Sequence, residues 1–220
     1  MPYPPPFSWP RFILKILVIV AIYYGYEWYT APDLSINKIV NDDPQMDLVK
    51  DGRTWTVPDY KGYVFKEVAT LKLHAKVLST HSYGWWNTWM QVYETDTTEI
   101  EPEDFFLGWG EMSNNVIWTK LKLFSDDHSY EMTIPRSFPL TRHYTQFHSD
   151  NAHMIPANLH IRYLLRQLKV NAVVEFEGSL VNVTLPNGAA WNSGFDHRNH
   201  DLGSFVCFVY FVTNVKVEDP

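Results

Sequence analysis

Hydrophobic positions follow three patterns along the chain. The first is a continuous run from Arg11 to Tyr29, in which Lys15 is the only charge between Phe12 and Tyr26. A bilayer-spanning helix takes about 20 mostly apolar residues, and residues 11–30 predict one, with Lys15 near enough to its start for the stem to reach the headgroups. Trp9 marks one end; Tyr23, Tyr24, Tyr26, Trp28 and Tyr29 crowd the other. These are the positions aromatic rings take at the two membrane interfaces. The second pattern is alternation. Leu71, Leu73, Ala75 and Val77 interleave with Lys72, His74 and Lys76, and that period of two predicts a half-buried strand with His74 facing solvent. Ser129–Ile134 predicts another, ended by Pro135. Ala172–Val183 and Ala189–Phe195 follow, joined across the Pro186-Asn-Gly188 turn. Ser204–Val217 is almost continuously apolar and predicts a strand buried on both faces. The third pattern is helical. Ile161, Leu164, Leu165 and Leu168 stand at i, i+3, i+4 and i+7, which predicts an amphipathic helix over 157–168 with Pro156 in its first turn. Ser113 is the expected cap of a shorter helix running to Leu121.

These elements divide the chain into a Pro-rich tail (1–10), an anchor (11–30), a linker (31–62) and a β-rich domain (63–220). The linker is rich in turn signals such as Asp42-Asp-Pro44 and Asp51-Gly52, with a short helix expected over Leu34–Val40. The fold class is α+β with a mainly antiparallel sheet. The element order fits an OB-like barrel of about five strands with a helix between the third and fourth. An open sheet packed on the helix at 157–168 is the alternative. Arg11 and Lys15 lie at the N-terminal end of the anchor and no basic residue follows until Lys38, so the N-terminus is expected in the cytoplasm and the domain outside it. A cleaved signal peptide fits less well, because Tyr29 and Pro32 flank the only candidate cleavage point, where small residues belong.

The net charge of −7 argues against nucleic acid and anionic lipid as partners of the domain. One cysteine, Cys207, excludes an intramolecular disulfide. Aromatic residues are plentiful, with 9 Trp, 13 Tyr and 13 Phe. They concentrate in Tyr83-Gly-Trp-Trp-Asn-Thr-Trp89, where Trp85, Trp86 and Trp89 are candidates for a partner-binding surface, a covered core edge being the plainer reading.

Candidate chemistry rests on histidine. His143, His148 and His153 fall in one polar segment, and His197 and His200 in another. Should the loops 143–153 and 197–201 meet, His148, His153, His197 and His200 could converge as a metal set, and zinc is the ion such donors would take. The plainer reading has His148, Ser149 and Asn151 bonding a loop that caps the helix after it. The spacing matches no zinc-hydrolase motif. His148-Ser149-Asp150 is a triad only on paper, and no nucleophile elbow is present. Glu101, Glu103 and Asp104 read as a solvated acidic turn. Gly108 and Gly110 around Trp109 predict backbone bends and the close approach of another segment.

The runs Leu107-Gly-Trp-Gly-Glu-Met-Ser113, His148-Ser-Asp-Asn-Ala-His-Met-Ile-Pro-Ala157, Glu177-Gly-Ser-Leu-Val181 and Trp191-Asn-Ser193 resemble those of an uncharacterised family of bacterial single-span inner-membrane proteins. The resemblance spans roughly Leu71 to Val215. It implies a bacterial inner membrane with a periplasmic domain and carries no chemistry; the His-rich stretch Asp196–Gly203 departs from it. The expectation is therefore a membrane-anchored accessory or assembly subunit whose domain binds another envelope component and performs no catalysis. A tethered metal-binding protein or metal-dependent hydrolase is the alternative. A barrel holding a lipid or glycan is a third reading and needs a large apolar pocket.

Overall fold

The structure, a computed structural model, describes residues 9–83, 97, 99–126, 129–194 and 207–218. It divides into two compact units, Met1–Asp33 and Leu34–Pro220. The first contains α1 (Trp9–Thr30), 22 residues long. Its apolar side chains from Phe12 to Ile22 are all exposed. Among the described residues no helix is long and apolar enough to cross a membrane.

The second unit is a mixed α+β domain dominated by one largely antiparallel sheet. Its strands are β1 (Gln45–Leu48), β2 (Thr54–Trp55), β3 (Val64–Ser82), β4 (Glu103–Gly108), β7 (Ser149–Pro156), β8 (Val173–Thr184), β9 (Ala190–Trp191) and β10 (Cys207–Val217). A separate hairpin pairs β5 (Lys122–Asp126) with β6 (Ser129–Thr133). The helices are α2 (Asn115–Trp118), α3 (Arg142–Phe147) and α4 (Leu159–Gln167).

The 19-residue β3 organises the sheet. One edge pairs with β2, β1 and β4 in turn, the other with β8. β4 pairs with β7, β7 with β10 in parallel, and β10 with β8. The pairings thus run in a ring, β3–β4–β7–β10–β8 and back to β3. The face turned into this ring carries Leu71, Leu73, Ala75, Val77, Phe105, Leu107, Met154, Phe176, Phe208 and Tyr210, all in one buried cluster. β3 changes sides at the register shift between Glu67 and Ala69, as a bulge does: Phe65 before it packs instead with Tyr60, Tyr63, Val181, Val183, Val209 and Phe211 in a second cluster on the outer face. Side chains of the first cluster occupy the inside of the ring.

The amphipathic helix forms as its spacing predicts, with Ile161, Leu165 and Leu168 buried. It starts later than expected. Pro156 ends β7, and Asn158 is the cap, its side chain accepting from the Ile161 amide at 3.0 Å. α4 packs on β7 and β10. The segment 34–62 differs from an irregular linker. It lies within the second unit, contributes β1 and β2, forms no helix over 34–40, and buries Val40 in the main cluster. Gly110 has φ +55°, and a Cβ there would lie 2.6 Å from Tyr144 Oη and 2.8 Å from His148 Cδ2. The close approach expected around Trp109 is therefore made by α3 and the residue that ends it. His74 is not a plain solvent-face residue. Its Nδ1 lies 2.8 Å from Asp42 and its Nε2 3.1 Å from Glu218.

Candidate functional site

The outer face of β4 and β7 holds the one group of three acidic and histidine side chains, among the described residues, whose donor atoms lie close enough to share an ion. It begins with the Glu101-Pro-Glu-Asp104 stretch. These acids do not form a solvated turn. Glu101 and Asp104 are fully buried and Glu103 nearly so, because the chain enters the sheet at Glu103 and every residue of β4 is covered. A turn in which the amides of Ile100 and Glu101 both bond the Thr97 carbonyl delivers Glu101 beside the strand.

Register places the rest. His81 on β3 opposes Asp104 on β4, and Asp104 opposes His153 on β7. Directly opposed residues of antiparallel strands present their side chains to the same face, so Asp104 and His153 meet. His153 Nδ1 lies 2.6 Å from Glu101 Oε1 and 2.6 Å from Asp104 Oδ1. The Tyr83 hydroxyl donates to Asp104 Oδ2 at 3.0 Å. The Trp191 ring meets the imidazole edge-on, centroids 5.2 Å apart. Val209 opposes His153 from β10, and Cys207 stands two residues before it on the same face, opposite Asn151.

Burial dominates the electrostatics. It pushes the Asp104 carboxyl up to about 7, with the Glu101 charge acting in the same direction. Burial alone would lower His153, but the Asp104 and Glu101 carboxylates overcome it and hold the imidazolium well above its ordinary range. Glu103 is also lifted by burial to about 7, against the Ser82 hydroxyl that donates to it at 2.6 Å. The group can thus retain a proton or bind a cation in an environment from which water is excluded.

Of the four histidines expected to converge, the structure places only His153 here. His148 ends α3: its ring stacks on Tyr144 with centroids 3.7 Å apart, and its Nδ1 donates to the Tyr144 carbonyl at 2.9 Å. Five residues of extended chain, roughly 3.3 Å each, separate it from His153. The Ser149 hydroxyl likewise donates back, to the Thr145 carbonyl at 2.7 Å, whereas the helix after β7 is capped by Asn158; Ser149 and Asp150, neighbours on β7, face opposite sides of the sheet. His197, His200, Trp85, Trp86 and Trp89 lie outside the described residues. Of the interface aromatics, Trp9 is exposed, and the side chains of Tyr26, Trp28 and Tyr29 are outside the described set. Sequence reading missed Glu101 and Asp104 as site residues. Their signal was position: acids immediately before Phe105-Phe-Leu107 enter a buried strand with it. Compared with known proteins, the chain matches no protein-family model, no curated protein and no solved structure.

Proposed function

We propose that the chain is a membrane-anchored binding module, an accessory or assembly subunit of a bacterial inner-membrane complex. In this reading its domain is an OB-like barrel in the periplasm. The observation that carries it is the ring of strand pairings. The order β3–β4–β7–β10–β8, the parallel β7–β10 pair, and the position of α4 between β7 and β8 in the chain support the OB reading. Barrels of that plan bind in part through the loops flanking their second and third strands. Here these are the segments after β3 and β9, which carry Trp85, Trp86 and Trp89 and His197 and His200. The step from fold to binding is an analogy.

The anchor is supported by α1. Its 22 residues rise about 33 Å at 1.5 Å each, near the hydrocarbon thickness of about 30 Å, and its apolar side chains are exposed. Arg11 and Lys15 at one end orient it with the N-terminus in the cytoplasm, and the motif resemblance gives the bacterial setting. Carbonate extraction of native membranes tests the anchor. The full chain should stay in the membrane pellet and a chain lacking residues 9–30 should be released; release of both refutes it. Purification of tagged full-length protein in mild detergent then tests the subunit reading. A stoichiometric membrane companion is expected, and a solitary monomer argues against it.

A further inference from the structure

We propose that Glu101, Asp104 and His153 bind a single divalent transition-metal ion of the Zn²⁺ or Mn²⁺ class. The donor atoms of the three side chains lie within 4.8 Å of one another, and all three residues are buried. An ion with bonds of about 2.0–2.2 Å holds tetrahedral donors roughly 3.3–3.6 Å apart, so the two 2.6 Å contacts to Nδ1 open by less than about 1 Å through small side-chain rotations. One imidazole nitrogen with two carboxylate oxygens is a donor set these ions accept.

The hydrogen bonding gives the second argument. Nδ1 of an imidazole carries at most one hydrogen. At His153 that nitrogen is hydrogen-bonded to Glu101 Oε1. Asp104 Oδ1, also buried, lies 2.6 Å from the same nitrogen. Two carboxylate oxygens therefore crowd one imidazole nitrogen that carries at most one hydrogen. A metal ion in place of that hydrogen satisfies all three donors together, and its binding releases the proton from Nδ1.

The surroundings fit the same role. Ligating carboxylates and imidazoles are normally held by outer hydrogen bonds and an apolar wall. Tyr83 Oη bonds the second oxygen of Asp104, while Trp191 lies against the imidazole. The two principal ligands sit on opposed positions of paired strands, the kind of rigid support that keeps a ligand geometry. This set shares only His153 with the four histidines singled out in the sequence, and His148 takes no part.

The test is titration of the EDTA-treated full-length chain with ZnCl₂ alone. One equivalent should bind, with proton release, and the melting temperature should rise by about 5 °C or more at a hundredfold excess over Kd. Asp104→Asn and His153→Gln should each abolish that equivalent, and His148→Gln should retain it. Because a variant in a buried cluster can fail to fold, the wild-type chain loaded with Mn²⁺ supplies a second readout. Pulsed EPR should show one directly bonded imidazole nitrogen. Absence of stoichiometric binding, absence of the nitrogen coupling, or an equivalent retained in both Asp104→Asn and His153→Gln would overturn the proposal.

Discussion

Lys76 and Asn115 offer a quantitative check on how the ring is closed. Lys76 lies on β3 between Gly108 of β4 and Val173 of β8, and its side chain is fully buried. Its ammonium donates to Asn115 Oδ1 at 2.8 Å, an oxygen that also accepts from Trp118 Nε1 at 3.0 Å. Burial lowers the lysine to about 8 from 10.5. Below about pH 8 the folded chain therefore keeps a buried charge at a cost of up to about 3 kcal/mol, at about 1.4 kcal/mol per pH unit. Between about pH 8 and 10.5 the folded chain releases the proton while the unfolded chain keeps it, so this group makes stability rise with pH. Lys76→Met removes the charge and retains most of the volume. After subtracting about 1 kcal/mol for the lost hydrogen bond, it should stabilise the domain by about 1–2 kcal/mol at pH 7. Asn115→Ala strands the ammonium and should cost about 3 kcal/mol or more, with further loss because its amide bonds the Leu34 and Ile36 carbonyls. Urea unfolding at pH 7 and 9.5 measures both. The gain from Lys76→Met should shrink at pH 9.5, and Asn115→Ala should cost about 2 kcal/mol less in a Lys76→Met background. A loss of more than about 2 kcal/mol for Lys76→Met at both pH values would refute the reasoning.

Other consequences follow from single features. Glu103 is lifted from 4.5 to about 7, so its contribution is full below pH 4.5 and is lost as pH rises through 7. Metal-free protein should lose about 3 kcal/mol from this group between pH 4.5 and 7.5, and Glu103→Gln should flatten that slope in urea titrations. Gly110→Ala places a Cβ at φ +55° against Tyr144 and His148. It should cost about 2 kcal/mol or more, whereas Gly188→Ala, with open space at its Cβ, should cost only the backbone strain of about 1–2 kcal/mol; thermal melts separate them. Tyr210→Phe removes a buried 2.7 Å bond to the Leu71 carbonyl and should cost about 1 kcal/mol with amide exchange accelerated near Leu71.

Elements whose pattern is local were legible in the chain. The alternation Leu71–Val77 and the spacing Ile161–Leu168 specify β3 and α4 because one face of each must be buried, whatever it packs against. The late apolar run specifies β10, which is buried on both faces from Phe208 to Val212. The segment His143–His153 was misread as irregular because its two halves, α3 and β7, are short and abut at His148. β7 is buried throughout, so polar Asp150, Asn151 and His153 broke the apolar signal while tertiary pairing kept the strand. The acids at 101–104 were misread for a related reason. Carboxylates default to solvent unless a partner 50 residues away is known, and His153 is set opposite Asp104 only by strand register. No local pattern announces that pairing. The ring itself depends on β3 pairing through both edges, which its length of 19 residues permits and which alternation alone cannot specify.

The most direct test of the central claim is site-specific photo-crosslinking of the full-length chain in native membranes, with a benzoylphenylalanine at Trp86, beside the β4–β7 face in sequence, or at Phe124, an exposed residue of the β5–β6 hairpin. A membrane-anchored module that binds through the segment after β3 should give one discrete adduct to another membrane or envelope protein from position 86 and none from 124, and the adduct should disappear when residues 9–30 are removed. No adduct from position 86, the same adduct from 124, or an adduct that survives removal of residues 9–30 would contradict it.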